Sequence, residues 1–401
     1  MRYDRRIHTA RGTDEFVFHQ LVPYLGSKRH LLEVIAAAIA ATGIAPQRAT
    51  FFDAFAGSGV VARFAKRLGF GVIANDWEPY ARVLNTAAIA CDAPPACARL
   101  DGYESAIAGL NALCGHDGWI SEHLCPADDA TADPTRERMF YRRATGRRID
   151  AIRDRIAEWH DAGLIDDAES CCLLAPLLYQ ACWLSNTSGV FKGFHHGWGG
   201  RNGTALHRIL ADLHLTPACF LDNGRRHRVT AADVLESGCP PSDIAYLDPP
   251  YNQHPYASNY HVLNSIVLWD KPALPAPTIR GHKAAIRTDW RRRRSPFNHR
   301  GEALDAYSRL LDRLDARVVL TSYSTDGTIA TADLVAAAAR RGALSVFCRP
   351  YKRYRTSPTR PSPRPLTTEF VLACDTRRSG RDDDVERMLR AIEASSAAVS
   401  A

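Results

Sequence analysis

Residues 50–76 read TFFDAFAGSGVVARFAKRLGFGVIAND and contain two apolar runs separated by a glycine turn and a helical stretch. The first run, Thr50–Phe55, ends at Gly57-Ser58-Gly59, and Val60–Leu68 then follows a helical period. The second run, Gly71–Ala74, ends at Asn75-Asp76. Strand, tight turn, helix and strand in this order predict a βαβ unit with parallel strands.

The glycine turn predicts a site for a nucleoside-bearing cofactor. Gly57, Gly59 and Ala62 satisfy the pattern G-x-G-x-x-G/A, in which glycine lets the backbone approach a ligand closely. Asp76 ends the second strand, where an acid can bind ribose hydroxyls; its alternative role is the N-cap of a helix beginning at Trp77. The turn alone fits NAD and S-adenosylmethionine equally well, because both carry adenosine.

Three details favour S-adenosylmethionine. Asp53 and Phe55 precede the glycines and give D-x-F-x-G-x-G, and Asn75 stands directly before Asp76. Upstream, Tyr24-Leu25-Gly26-Ser27-Lys28 opens a helical stretch, which places a lysine and backbone amides where they could hold a carboxylate. A nicotinamide oxidoreductase has no need of that lysine motif, and it stays as the alternative from another class.

The predicted sheet continues after an interruption. Four later apolar runs predict strands, with helices such as Asp333–Arg341 between them; the runs are Asp243–Leu247, Arg317–Ser322, Leu344–Cys348 and Thr367–Cys374. Alternating strands and helices predict a mostly parallel sheet covered on both faces. We therefore expect an α/β catalytic domain made of residues 13–92 and 229–376.

Residues 93–228 predict an inserted, largely helical domain, because they are rich in charged and small polar residues. Helical stretches at Arg148–Asp161 and Asp167–Leu184 precede Ser185–Gly203, which is dense in Gly, His, Asn and aromatic residues. After Arg377 the chain is charged and then rich in Ala and Ser, so residues 377–401 predict a flexible tail.

Asp248-Pro249-Pro250-Tyr251 follows the apolar run Ile244–Leu247. The prolines fix the backbone, the carboxylate can accept hydrogen bonds from an amino group, and the tyrosine offers a face for stacking. The combination predicts a rigid slot for a flat polar ring, with a proline-stiffened loop as the alternative.

In this order the motifs resemble those of the Dam-like adenine-N6 DNA methyltransferases, which carry a lysine motif, an FxGxG cofactor motif, a target-recognition insert and DPPY. The resemblance extends over most of the chain, and Ala54 departs from it because many members have proline there. It implies a Rossmann-like sheet, S-adenosylmethionine as methyl donor, and methyl transfer to the exocyclic N6 of an adenine flipped out of double-stranded DNA.

The resemblance also implies residue roles. Asp248 and the Pro249 carbonyl would accept the two amine hydrogens, and Tyr251 would stack on the base; Pro250 completes this catalytic motif, and no metal is needed. The implied cofactor residues are Tyr24, Lys28, Asp53, Phe55, Gly57, Gly59, Asp76 and Asp248. Cytosine-N4 methylation is the alternative, but it usually uses serine in place of the acid, so Asp248 favours adenine.

Target reading is expected in the glycine-rich part of the insert. Amide, hydroxyl and basic side chains that could pair with base edges and phosphates stand there, at Asn186, Ser188, Lys192, His195, His196 and Arg201. A structural loop with solvated polar residues is the alternative.

The formal charge of +7 is unevenly distributed over the 401 residues. Two basic blocks suit the binding of a polyanion, and they are Arg291–Arg294 and Tyr351–Arg364. The alternative interpretation of each block is a solvated surface segment. No apolar run is long enough for a membrane span, so a cytoplasmic protein is expected. Double-stranded DNA is the predicted partner; a separately acting restriction endonuclease and the oligomeric state stay open.

Overall fold

The computed structural model describes residues 13–200, 202–253, 255–352 and 366–397. Within these residues, seven strands form one sheet in the order β3-β2-β1-β4-β5-β7-β6. The strands are β1 (Thr50–Asp53), β2 (Gly71–Asn75), β3 (Arg228–Thr230), β4 (Ser242–Leu247), β5 (Ala316–Ser324), β6 (Ala343–Lys352) and β7 (Leu366–Asp375).

Strand directions confirm the mostly parallel, Rossmann-like sheet that the sequence predicts. The five strands β1 to β5 run parallel, and β7 lies antiparallel between β5 and β6. From β1 the chain first builds outward through β2 to β3, and then returns to place β4 on the other side of β1. In open α/β sheets such a reversal leaves a crevice beyond the carboxyl ends of the strands, where ligands bind.

Helices of the described residues cover the sheet and fill the insert. They are α1 (Thr13–Phe18), α2 (Leu32–Ala41), α3 (Val60–Leu68), α4 (Pro79–Asn85), α5 (Tyr103–Ala112), α6 (Trp119–Leu124), α7 (Arg143–Asp161), α8 (Asp167–Trp183), α9 (Leu206–Ile209), α10 (Tyr256–Asn259), α11 (His261–Leu268), α12 (Ala303–Arg313), α13 (Thr331–Ala339) and α14 (Asp384–Ala397). A π-helical segment, Thr86–Ala90, continues α4. In the part of the chain described, none of these helices combines the length and the apolar character needed to cross a bilayer.

Central strands divide their side chains between two cores. Phe51 of β1 packs with α1, α2 and α3, whereas its neighbour Phe52 packs with α12, α13 and α14. Ile244 and Ala245 of β4 are divided in the same way. Because successive side chains of a strand point to opposite faces, these apolar runs bury the sheet from both sides.

The insert is helical, but it shares a core with the elements that border the catalytic motif. Cys172 and Leu177 of α8 are buried in one cluster with Tyr80 of α4 and Leu263 of α11. The helices of residues 93–228 are therefore packed directly against the chain segment that follows DPPY. The division of the chain into domains remains a prediction.

Residues 384–397 form α14, whereas the sequence analysis expected a flexible tail at residues 377–401. Met388 and Ile392 are 5% and 3% exposed and lie in the core with α12 and α13. Val385 and Leu389 pack at the edge of that core. Their spacing follows the apolar face of a helix, which the Ala- and Ser-rich composition of the segment concealed.

Candidate active site

The carboxyl ends of β1, β2 and β4 open into a cleft whose empty space is about 820 Å³ when its open mouth is included. Six chain segments contribute to its lining, and they are Tyr24–Lys28, Asp53–Val61, Asn75–Glu78, Ala232–Leu235, Asp248–Pro250 and Ser295–Phe297. The three motifs that the sequence analysis singled out thus meet at the switch point of the sheet.

Glycine is required at two positions of the turn after β1. Gly57 has φ +51° and Gly59 has φ +81°, in the left-handed region that favours glycine. A Cβ atom on Gly57 would lie 2.8 Å from Cε1 of Tyr24, and one on Gly59 would lie 2.6 Å from Oδ1 of Asn85. The turn is therefore closely packed on its protein side as well as being open to the cleft.

Asn85 holds this turn, and sequence reasoning missed it. Its side-chain amide donates to the carbonyl oxygens of Gly57 at 3.1 Å and Ala81 at 2.8 Å. The only signal in the sequence is a polar residue at the end of a helical stretch that is apolar apart from Arg82. That signal does not indicate which backbone carbonyl the amide reaches.

Asp76 organises the turn from the end of β2. Its two carboxylate oxygens accept hydrogen bonds from the Gly57 amide at 2.8 Å and the Glu78 amide at 2.9 Å. Burial raises the pKa of Asp76 to about 6, and these two amides oppose the shift. Helix α4 begins later, at Pro79 with Glu78 as its N-cap residue, so the alternative of Asp76 as N-cap is wrong.

Asp53 is a buried carboxylate at the end of β1. It is 1% exposed, and neither of its oxygens makes a well-aligned hydrogen bond to the described residues. Burial raises the pKa of Asp53 well above its usual range, and the Asp248 carboxylate adds to the shift, while the Phe55 amide opposes it. A carboxylate in these surroundings is suited to a cationic partner.

Lys28 and Asp248 bring the lysine motif and the DPPY motif into direct contact. Nζ of Lys28 lies 2.9 Å from Oδ1 of Asp248, donates to the Gly26 carbonyl at 3.1 Å, and sits 4.8 Å from the centre of the Tyr251 ring. Burial alone would lower the pKa of Lys28, but Asp248 and Tyr251 raise it above its usual value. Burial raises the pKa of Asp248 to about 6, and the nearby Lys28 opposes this shift and favours the ionised carboxylate.

Aromatic rings pack beside the DPPY motif and along one wall of the cleft. Tyr251 packs edge-on against Tyr323, with ring centroids 5.7 Å apart. Phe55 meets Phe297 edge-on at 5.4 Å. Phe297 and its neighbour Ser295 are cleft residues that sequence reasoning missed, because no motif marks the segment after DPPY that carries them.

Asn186 does not face the solvent, which corrects its prediction as a base-reading residue. It is 0% exposed, and its side-chain amide donates to the carbonyl oxygens of Met139 and His195, both at 3.1 Å. Its side-chain oxygen accepts from the Gly199 amide at 3.2 Å. Both amide hydrogens are used in holding the loop closed, so the buried side chain has no donor left for a base edge.

The other residues predicted to touch DNA are more accessible. Ser188 and His196 are exposed, and Lys192 and His195 are half-buried. Arg201 lies outside the described residues. A further basic residue that the prediction omitted, Lys283, lies beside this loop, with its Nζ 3.2 Å from Nε2 of His196.

This insert loop, residues 185–200, lies against the segment that follows DPPY. The Phe191 amide donates to the Asn259 carbonyl at 2.7 Å, and Nε2 of His261 lies 2.8 Å from the Phe191 carbonyl oxygen. The loop is therefore fixed close to the catalytic motif, although the two are far apart in the chain.

Two arginines of the Arg291–Arg294 run pair with acids of the protein, the half-buried Arg293 and the exposed Arg294. Arg293 approaches Asp289 at 3.2 Å and the buried Glu78 at 3.6 Å, and Arg294 makes a two-pronged ion pair with Glu302. Arg291 and Arg292 are exposed. Most of the other basic block, Tyr351–Arg364, lies outside the described residues.

Comparison with known proteins identifies relatives over most of the chain. The family model described as D12 class N6 adenine-specific DNA methyltransferase matches residues 24–285. The type II methyltransferase M.NlaIII of Neisseria lactamica is 30% identical over 344 residues, which cover 84% of this chain and 93% of that protein. The modification methylase StsI of Streptococcus sanguinis is 27% identical over 83% of this chain, and the match spans 49% of that longer protein.

A viral relative shows a similar level of identity. The type II methyltransferase M.CviAII of Paramecium bursaria Chlorella virus 1 is 29% identical over 76% of this chain and 84% of its own length. No solved structure matched the chain.

Proposed function

The chain belongs to the D12 class N6 adenine-specific DNA methyltransferase family, and from this premise we propose that S-adenosylmethionine is the methyl donor and occupies the cleft described above. The protein methylates adenine N6 in DNA. The observation that carries the proposal is the meeting of the glycine turn, Asp76 and Asp248 in one cleft at the switch point of the sheet.

The residues around the cleft fit this cofactor. Asp76 retains lone pairs for ribose hydroxyls after accepting its two amide hydrogen bonds. The buried Asp53 carboxylate suits the cationic amino group of the methionine part, since no well-aligned donor among the described residues satisfies it. Gly57 and Gly59 let the turn pack against Tyr24 and Asn85 where side chains would collide, and so keep its shape at the edge of the cleft. When bound, the cofactor supplies an electrophilic methyl group.

The DPPY motif is proposed to hold the adenine. Asp248 and the Pro249 carbonyl would accept the two hydrogens of the exocyclic amine, whose lone pair would then be directed at the methyl group. Tyr251 would stack on the base. Lys28 keeps Asp248 ionised through their 2.9 Å contact, and an ionised carboxylate is the form that accepts hydrogen bonds. The protein's contribution is then positioning together with a pre-formed polar environment.

The insert loop is proposed to contact DNA near the slot. Ser188, Lys192, His195 and His196 remain the candidates, and Lys283 joins them because it lies beside His196. Asn186 is removed from this set. A separately acting restriction endonuclease belongs to the same proposal, in keeping with the type II names of the relatives.

Base-resolution sequencing tests the proposal. The chain is expressed in a host that lacks DNA methylation, beside a host carrying the Asp248→Asn variant. We expect N6-methyladenine at one short recognition sequence in the first host and none in the second. Cytosine-N4 methylation, or equal methylation in both hosts, would contradict the proposal. Purified protein that transfers no label from S-adenosylmethionine to the same DNA would reject the cofactor assignment.

A further inference from the structure

We propose that Tyr256 and Tyr260, which follow the DPPY motif, are positioning residues for the lysine loop Tyr24–Lys28. In this role they hold that loop in the shape that binds the cofactor and places Lys28 beside Asp248. The inference rests on the proposed function, because it concerns the cofactor side of the same cleft.

Two tyrosine hydroxyls bind both polar groups of one backbone residue in the loop. The Leu25 amide donates to Oη of Tyr260 at 2.7 Å, and Oη of Tyr256 donates to the Leu25 carbonyl at 3.0 Å. The loop is irregular there, and Gly26 has φ +76°. Since regular secondary structure does not hold Leu25, these two side chains determine where its backbone lies.

The rings reinforce the hydroxyl contacts. Tyr24 stacks on Tyr256 at 5.1 Å and on Tyr260 at 4.9 Å between ring centroids, with interplanar angles of 20° and 12°. The other side of Tyr24 meets the glycine turn, where a Cβ on Gly57 would lie 2.8 Å from its ring. The position of the Tyr24 wall of the cleft therefore depends on the two rings behind it.

The same loop sets the position of Lys28. Its ammonium group donates to the Gly26 carbonyl at 3.1 Å and contacts Asp248 at 2.9 Å. Gly26 follows directly after Leu25, the residue that the tyrosines hold. A shift of the Leu25 backbone would move both the lysine and the Tyr24 ring.

Tyr260 is itself firmly supported. Tyr260 is 0% exposed, and its neighbour Asn259 accepts a hydrogen bond from the insert residue Phe191 at 2.7 Å. Simple aromatic packing would need only the rings, so phenylalanine would serve equally well at both positions. A positioning role, in contrast, requires the hydroxyls, so removing them distinguishes the two roles.

The test removes the hydroxyls and leaves the rings. Tyr256→Phe, Tyr260→Phe and the double variant are compared with wild type for kcat, for KM toward S-adenosylmethionine and toward DNA, for direct cofactor binding by calorimetry, and for Tm. Tyr307→Phe is the matched control, because its buried hydroxyl bonds to Thr321 at 2.9 Å away from the cleft.

We expect KM and Kd for the cofactor to rise roughly tenfold in Tyr260→Phe, because a buried amide donor loses its partner. The rise should be larger in the double variant. In all variants KM for DNA should stay within about twofold of the wild-type value by the same reasoning, and the Tyr307→Phe control should change only Tm. Unchanged cofactor affinity in the double variant would overturn the inference. An equal rise in both KM values, or the same cofactor effect in the control, would also overturn it.

Failure of the proposed function has a different signature. Wild-type protein that neither binds S-adenosylmethionine nor transfers its methyl group rejects the cofactor assignment, and the inference with it. Wild-type protein that does both, beside variants that are indistinguishable from it, rejects the inference alone.

Discussion

At the scale of single residues, Lys28 and Asp248 depend on each other. Lys28 is 4% exposed, so its charge is buried and the 2.9 Å contact with Asp248 is its main compensation. Removing one member of a buried pair leaves an unpaired charge, which typically costs about 3–5 kcal/mol. A substitution of Asp248 is therefore expected to affect stability as well as catalysis.

The first prediction uses this dependence. Asp248→Asn should lower methyl transfer by at least roughly 100-fold and lower the free energy of unfolding by about 3–5 kcal/mol. Adding Lys28→Met removes the second charge, so the double variant should regain stability while staying inactive. Denaturant unfolding and methyl transfer at a temperature where all variants are folded give the two quantities. Stability of Asp248→Asn equal to wild type would refute the buried-pair argument.

Glu78 carries the second prediction. It is 2% exposed, and burial raises the pKa of its carboxyl group to about 7, with Asp76 and Asp289 adding to the shift and Asn264 and Arg293 opposing it. An acid with a raised pKa takes up a proton on folding. The stabilising contribution of Glu78 is therefore complete at any pH below the pKa that this carboxyl group has in the unfolded chain. It is lost as the pH rises through about 7, the pKa in the folded protein.

Glu78→Gln should remove this pH dependence. Relative to wild type, the variant should gain stability between pH 5 and pH 8, by up to about 3 kcal/mol from the size of the shift. Calorimetric unfolding across this pH range measures the difference, and Glu104→Gln on the exposed surface of α5 controls for general effects of the substitution. A constant difference between wild type and Glu78→Gln at every pH would rule out the titration of Glu78.

At the scale of elements, the turn between β1 and α3 needs glycine for two reasons, its left-handed backbone conformation and its close packing. Gly59→Ala must accept φ +81° and a Cβ only 2.6 Å from Oδ1 of Asn85. Gly43, at the end of α2, has φ +65° but nothing within 4 Å of the added atom. A comparison of alanine substitutions at these two glycines therefore distinguishes the cost of a strained backbone from the effect of displacing the turn.

The third prediction compares them. Both alanine variants should lose about 1–2 kcal/mol of stability from the left-handed conformation. Only Gly59→Ala should weaken cofactor binding, by roughly tenfold or more, because its clash displaces the turn and Asn85. Calorimetric titration with S-adenosylmethionine and thermal unfolding give the comparison. Equal cofactor affinity in the two variants would show that the turn tolerates the displacement.

At the scale of the whole molecule, α14 closes one face of the sheet. The fourth prediction is that deleting residues 384–401 exposes the core beneath Met388 and Ile392 and lowers the free energy of unfolding by about 3–6 kcal/mol, for two buried apolar side chains. A Met388→Ala, Ile392→Ala variant should lose a comparable amount, whereas Glu393→Ala on the exposed side should lose almost none. Unchanged stability after the deletion would restore the view of this segment as a tail.

The sequence by itself determined the order and type of the elements around the motifs, although it missed β3 and the antiparallel placement of β7. The strands beside the glycine turn, helix α3 and the strand before DPPY all lie within a few residues of their predicted bounds, because periodicity is local and each element carries its own pattern. It also determined the family, since the motifs and their order can be read without knowing any contact.

Tertiary structure alone decided which side chains meet. Lys28 faces Asp248, both amide hydrogens of Asn186 are used inside its loop, and Arg293 is held by Asp289 and Glu78. A hydrogen bond or ion pair between residues far apart in the chain leaves no periodic trace. The polar residues of a motif can therefore be identified as candidates from sequence, but their partners, and hence their availability to a ligand, are decided only when the chain folds.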